Sequence, residues 1–304
     1  MLGRWLLYLN EVFLPGSRTL VALILVVVIQ LLYQAMLDRA PLLLTWDTIP
    51  ATLTLVLILL YYRIQDEFKD AETDRRFFPN RPVPSGRVSF HDLKALMWVT
   101  FALLIAINVV WRLVLIPFLV LFVFAMCMHK WFFLERYLSS NRLLAFMTHA
   151  PISLIGNYFV LAVYANRFGA PLFTQSAFLV ALWFALPSLA WEIARKTRAP
   201  FEEIAGYQTY SVLLGSAPAA LLSIAFVVAQ WGLSFALPVS PWYLAAMSVL
   251  SACYLIWFVR FVRNTRVGSS TLKPAAELYG LLSTAGLVLD LAMTRGVRWQ
   301  GVVE

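Results

Sequence analysis

Nine long apolar runs follow one another along the chain, separated by loops of at most about thirty residues, and most are close to the ~20 residues a helix needs to cross a bilayer. They fall at about residues 19–37, 48–62, 93–111, 113–132, 147–165, 175–194, 209–231, 242–262 and 274–293. Composition agrees: 61% of residues are hydrophobic and 13% charged, and the mean hydropathy is +0.77, outside the range of soluble globular chains. The expected fold is all-α: a polytopic integral membrane protein of about nine transmembrane helices in one bundle around a central cavity. Residues 1–304 read as a single domain, because no Gly/Ser-rich or Pro-rich linker interrupts the series. The N-terminal MLGRWLLYLNEVFLPG has no small-residue cleavage site after a compact apolar core, so no removable signal peptide is expected.

Basic residues set the expected orientation. With the N-terminus in the cytoplasm, only Arg39, Arg112, Arg167, Arg295 and Arg298 of the 24 lysines and arginines lie outside, as the positive-inside rule requires. The net charge of +8 then reflects cytoplasmic loops beside anionic headgroups, and nucleic acid is an unnecessary partner. Cys127 and Cys253 both lie in apolar runs and read as small buried hydrophobes, not as a disulfide or thiolate metal site. His91, His129 and His149 lack metal-ligand spacing.

The most charged stretch, RIQDEFKDAETDRRFFPNRPVPSG at 63–86, follows directly on the second apolar run. Asp66, Asp70 and Asp74 stand at i, i+4 and i+8. On a helix continued past the membrane they share one face at intervals of about 6 Å. Three like charges in a row repel, which points to a cation among them. Mg²⁺ prefers carboxylate oxygens and is commonly shared with substrate phosphates. Arg75, Arg76, Arg81 and Arg87 place permanent cations beside the row, and RPVPSG is a stiff turn-forming segment. Charge alone is better met by a solvated cytoplasmic loop that serves topology; the carboxylate spacing and the RPVPSG tail turn the reading toward metal and phosphate.

This segment resembles the first signature of the UbiA superfamily of intramembrane prenyltransferases, N-D-x-x-D-x-x-x-D followed by R-P-[LV]-x-[SA]-G. The match falls at Asp70, Asp74, Arg81, Pro82, Pro84, Ser85 and Gly86. Asp66 stands in place of the usual Asn, and Glu67 in place of the first Asp. A second signature is similar to RAPFEEIAGYQTYSVLLG at 198–215, through Glu202, Gly206, Thr209, Val212 and Gly215, with Arg198 replacing the first Asp. Just upstream, WEIARK supplies Glu192, Arg195 and Lys196. In the loop after the fourth run, WFFLER keeps one basic residue, Arg136, of a Tyr-x-x-x-Lys-Arg cluster.

The resemblance implies a Mg²⁺-dependent transferase that moves an isoprenyl group from its diphosphate to an aromatic or lipid acceptor. Asp66, Asp70, Asp74 and Glu202 would hold the metal, and Lys69, Arg81, Arg136, Arg195 and Lys196 the diphosphate. Charged cytoplasmic loops at 63–92 and 192–208 would each come from one of two four-helix halves, placing the site on the cytoplasmic side of the inner or plasma membrane. No protein partner is called for. The same superfamily scaffold also serves terpene cyclisation and phosphoribosyl transfer to a lipid phosphate. A transporter is the non-enzymatic alternative, but it would put charge at the bilayer midplane, whereas these clusters sit at helix ends. Asn108, Asn157, Gln30 and Gln34 read as interhelical glue. Trp183, Trp191, Tyr207 and Tyr210 could shield a carbocation, but packing or an interfacial belt is the better reading of each.

Overall fold

The computed structural model describes residues 1–112, 114–263 and 271–300. Leu113, where the fourth apolar run was expected to begin, lies outside them. Among the described residues eight helices are long and apolar enough to cross a membrane: Pro15–Met36, Thr48–Lys69, Phe90–Val110, Arg142–Phe168, Gln175–Arg195, Ser216–Ser234, Pro241–Arg263 and Leu272–Arg295. A ninth apolar helix, Leu115–His129, has 15 residues. At ~1.5 Å per residue it reaches about 22 Å, less than the roughly 30 Å apolar core of a bilayer. The protein is therefore an all-α polytopic membrane protein.

The chain packs as two compact units, Met1–Val26 with Thr45–Glu135, and Val27–Leu44 with Arg136–Glu304. In the first, Thr48–Lys69 lies against Phe90–Val110 and Leu115–His129. One core cluster of this unit gathers Tyr8, Phe13, Leu60, Ile64, Val83, Val88, Leu93 and Leu96. Ser89 and Asp92 form a capping box at the start of Phe90–Val110, and Arg4 pairs with Asp92 at 3.4 Å. Deeper in the helix pair, Asn108 Nδ2 donates to Thr54 Oγ1 at 3.0 Å.

In the second unit Gln175–Arg195 is surrounded by Pro151–Phe168, Ser216–Ser234 and Leu272–Arg295. Lipid tails are as apolar as leucine, so association here depends on close packing and polar bonds. Buried Ala177, Ala181, Ala190 and Ala194 let the neighbours approach. Asn157 donates to Ala181 O at 2.8 Å, Trp183 Nε1 to Ser234 Oγ at 2.9 Å, and Ser223 to Ala190 O at 2.8 Å. Asn108 and Asn157 are thus interhelical glue, as expected. Asp290 accepts from the Ser240 amide at 3.1 Å and from its hydroxyl, fixing the start of Pro241–Arg263.

Three features depart from the sequence reading. First, a two-stranded parallel bridge joins Leu42–Leu44 to Val297–Trp299. Gln34 holds the first strand from both sides of one residue, donating to Leu43 O at 2.8 Å and accepting from Leu43 N at 2.7 Å. Second, the run 209–231 is two helices, Tyr210–Leu214 and Ser216–Ser234. Gly215 between them has φ +88° and ψ 151°, a region open essentially to glycine alone. Gly215→Ala should cost about 1–3 kcal/mol, read as a lowered thermal midpoint in detergent. Third, Cys127 is half-buried and Cys253 exposed, which corrects the expectation of buried thiols. The outside of a membrane bundle is as apolar as its inside, so composition does not separate the two faces.

Candidate functional site

In the first unit the helix Thr48–Lys69 continues past its apolar run, breaks for one residue at Asp70, and resumes as Ala71–Phe77. Helical spacing survives the break: Asp70 N bonds Asp66 O, Asp74 N bonds Asp70 O and Phe78 N bonds Asp74 O, each at 2.8 Å. The three aspartates nevertheless meet different surroundings. Asp66 and Asp70 are exposed, while Asp74 is buried, with both oxygens accepting from Arg81 Nη1 at 2.9 and 3.0 Å.

Glu67, which sequence reasoning left out of the ligand set, is also buried and accepts from Arg63 at 2.6 Å. The signal for it was present as Arg63-x-x-x-Glu67, one helical turn apart. Asp74 and Arg81 lie close enough to act on Glu67 electrostatically. Arg63, Glu67, Asp74 and Arg81 therefore form one alternating charge array.

The RPVPSG segment is tied down by its own turns. Ser85 N bonds Arg81 O, Gly86 N bonds Val83 O and Val88 N bonds Pro82 O, each at 3.0 Å, and Gly86 supplies the positive φ of +77° that the turn requires. The Arg81 guanidinium stacks over Phe78 at 3.9 Å. Arg87 anchors the far side through Glu11 at 2.7 Å. Arg63, Phe77, Phe78, Asn80, Arg81 and Glu11 line a cavity of about 580 Å³. Lys69 is turned away from the acidic row: its ammonium sits over Trp131 at 3.5 Å and donates to Met128 O at 3.3 Å.

In the second unit Glu192 holds two cations at once, Arg195 at 2.6 Å and Lys196 at 2.7 Å. The turn after it is braced from within. Arg198 N donates to Ser211 Oγ at 2.8 Å, and Arg198 O accepts from Ser216 Oγ at 2.7 Å. Its guanidinium lies over Tyr207 at 5.0 Å. The Glu202 carboxylate caps the short turn Pro200–Glu202 by accepting from Ala199 N at 3.0 Å. Glu203 accepts the Thr209 hydroxyl at 2.9 and 3.0 Å. Acids here organise the loop and its cations. Of the aromatic candidates, Trp183 is committed to Ser234, Trp191 to Glu277 at 3.0 Å, and Tyr210 is buried against Ile193 and Ala219. Arg136 is exposed on the short helix Glu135–Leu138.

The model of the UbiA prenyltransferase family matches residues 22–273. The chain belongs to this family. A structure from work on the biosynthesis of digeranylgeranylglyceryl phosphate synthase in membranes has 15% identity and a TM-score of 0.59, over 96% of this chain and 99% of that one. The apo structure of a UbiA homolog from Aeropyrum pernix K1 has 16% identity and a TM-score of 0.58, over 88% and 98%. At these identities the likeness is one of fold. No curated protein matches by sequence.

Whether this UbiA chain suits a divalent metal depends on its oxygen donors. Among the described residues no three His, Cys, Asp or Glu side chains gather into a metal cage. Mg²⁺ does not need one, because it retains several waters and takes one or two carboxylates with substrate phosphates. Asp66 and Asp70, exposed and one turn apart, fit that chemistry. Asp74 faces Arg81 and Glu202 faces the Ala199 amide, so their oxygens are already engaged.

Proposed function

We propose that the protein is a Mg²⁺-dependent UbiA-type enzyme that moves an isoprenyl group from its diphosphate to an aromatic or lipid acceptor, with its charged segments on the cytoplasmic side of the inner or plasma membrane. The observation that carries this reading is the acidic segment 66–74. It keeps helical spacing beyond the apolar span, leaves Asp66 and Asp70 exposed, and sends Arg81 onto Asp74. A solvated topological loop requires no such division of roles.

When bound, Mg²⁺ would act as a Lewis acid on the leaving diphosphate, held by Asp66 and Asp70. Asp74 orients the Arg81 guanidinium, which is then preset to donate charge-assisted hydrogen bonds to phosphate oxygens. Within the second unit Glu192 does the same for Arg195 and Lys196, presenting both as donors to phosphate oxygens. Glu202 and Glu203 brace the loop that carries these cations. The isoprenyl tail belongs among apolar helices, and its charged head at their polar ends. Ionisation leaves an allylic carbocation, which the helices shield from water.

The test is incubation of the purified chain with Mg²⁺ and a series of isoprenyl diphosphates, with and without membrane extract, following diphosphate release and lipid products. Release that depends on the extract is expected. Absence of release with every donor overturns the reading, and release without an acceptor replaces transfer by cyclisation.

A further inference from the structure

Residues 2–13 precede the first span and form an α-helix, Leu2–Tyr8, that runs into a π-helical stretch, Leu9–Phe13. Leu14, a non-glycine residue at φ 55°, ends that stretch and separates it from the span Pro15–Met36. A left-handed residue does not continue a right-handed helix, so the segment leaves the axis of the span. It runs instead across the polar ends of two other helices of the first unit. At the start of Phe90–Val110, Trp5 Nε1 donates to Asp92 O at 2.9 Å, and Arg4 meets the Asp92 carboxylate at 3.4 Å. Near the end of Thr48–Lys69, the buried Tyr8 donates to Arg63 O at 3.2 Å. Glu11 and Val12 form part of the wall of the cavity that Arg63 and Arg81 line, and Glu11 pairs with Arg87 at 2.7 Å.

These contacts leave another face without protein against it. Leu2 and Leu6, one turn apart, are 67% and 51% exposed. Arg4 and Glu11 are the only charged side chains between Leu2 and Phe13, and they are spent on Asp92 and Arg87. The open face is therefore apolar and uncharged. What covers it follows from its level. Polar ends of spans lie where hydrocarbon gives way to headgroups, and the segment is fastened to two such ends, at Arg63 and Asp92. The span that follows it is itself open to lipid at Leu20 and Val21, and the exposed Arg18 stands at its start, where a cation reaches headgroups. Helical stretches of seven and five residues are too short to cross a bilayer, which takes about 20, and an apolar face at this level lies in the interface.

We propose that residues 2–13 are an interfacial strap: Leu2 and Leu6 insert between lipid headgroups, while the packed side holds Arg63, Arg87 and Asp92 in place. The bilayer surface is then a partner of the charged segment 63–92. This contact is independent of the reaction the protein performs.

A nitroxide depth measurement tests it on the full chain in nanodiscs of phosphatidylcholine and phosphatidylglycerol. Cys127→Ala and Cys253→Ala clear the native thiols, and a single label is then carried at Leu2→Cys, Leu6→Cys or Glu72→Cys, the last at an exposed position of the charged segment. Oxygen concentrates among acyl chains and a nickel chelate in water, so the ratio of their collision rates with the label reports depth. That ratio should be several-fold higher at positions 2 and 6 than at 72. A ratio at 6 equal to that at 72 overturns the strap. A label at 6 shielded from both agents also overturns it, because a second copy or another protein then covers the face. Should the cysteine-free chain not fold, the unchanged chain in nanodiscs that contain a phosphatidylcholine with an acyl-chain diazirine takes its place. Carbene adducts on residues 2–9 are expected after illumination, and their absence while Pro15–Met36 is labelled overturns the proposal.

Discussion

Asp70→Ala should lower Mg²⁺-dependent diphosphate release by about 10²–10³-fold, the range typical of removing a group that stabilises charge developing in the transition state. Fold is not the cause of the loss. The Asp70 side chain is exposed at a one-residue break, and the backbone bonds that carry the helix through it, Asp70 N to Asp66 O and Asp74 N to Asp70 O at 2.8 Å, do not involve the carboxylate. The variant should unfold at the same temperature as the unchanged chain and need more Mg²⁺ to reach its residual rate. Diphosphate release measured across a Mg²⁺ titration checks both. An unchanged rate with an unchanged Mg²⁺ requirement would return the acidic row to the status of a solvated loop.

The largest loss of stability is expected from Arg63→Ala. Glu67 is 3% exposed and sits within 2.6 Å of Arg63, in a helix whose neighbouring Ile64 and Leu60 belong to the apolar core. Removing the cation leaves a buried carboxylate uncompensated, a change worth about 3–5 kcal/mol when the pair is fully enclosed. The Arg63 side chain keeps 29% exposure, so water reaches the pair and the lower end, about 3 kcal/mol, applies. Thermal or denaturant unfolding in detergent measures it. Replacing both partners with apolar residues, Arg63→Met with Glu67→Leu, should recover most of the loss, because no buried charge is then left alone. If Arg63→Ala unfolds like the unchanged chain, the pair contributes nothing.

Much of the architecture was legible because a bilayer tolerates few solutions. A long apolar run in lipid must close its own backbone bonds, and helices do so, so the spans at 48–69, 90–110, 175–195, 241–263 and 272–295 lie close to their apolar runs. The break at Gly215 was less legible, since glycine inside an apolar run is common and only the backbone conformation shows that the chain turns there. The bridge of Leu42–Leu44 with Val297–Trp299 joins segments from opposite ends of the chain, and no local pattern encodes such a pairing. Exposure of Cys253 was invisible for a different reason: hydropathy has the same sign on both faces of a membrane helix.

The candidate site divides along a similar line. Sequence alone determined which residue types stand at helix ends: an acidic row at i, i+4 and i+8, arginines beside it, and a second segment turned basic by Arg198, Arg195 and Lys196. Those follow from spacing, and spacing is local. Only the tertiary structure decided which charges are already spent, with Glu67 on Arg63, Asp74 on Arg81, Lys69 over Trp131 and Glu202 on the Ala199 amide. Pairing depends on distances of about 3 Å between side chains whose directions are set by packing. A one-dimensional pattern carries the charges and their order, but not those distances.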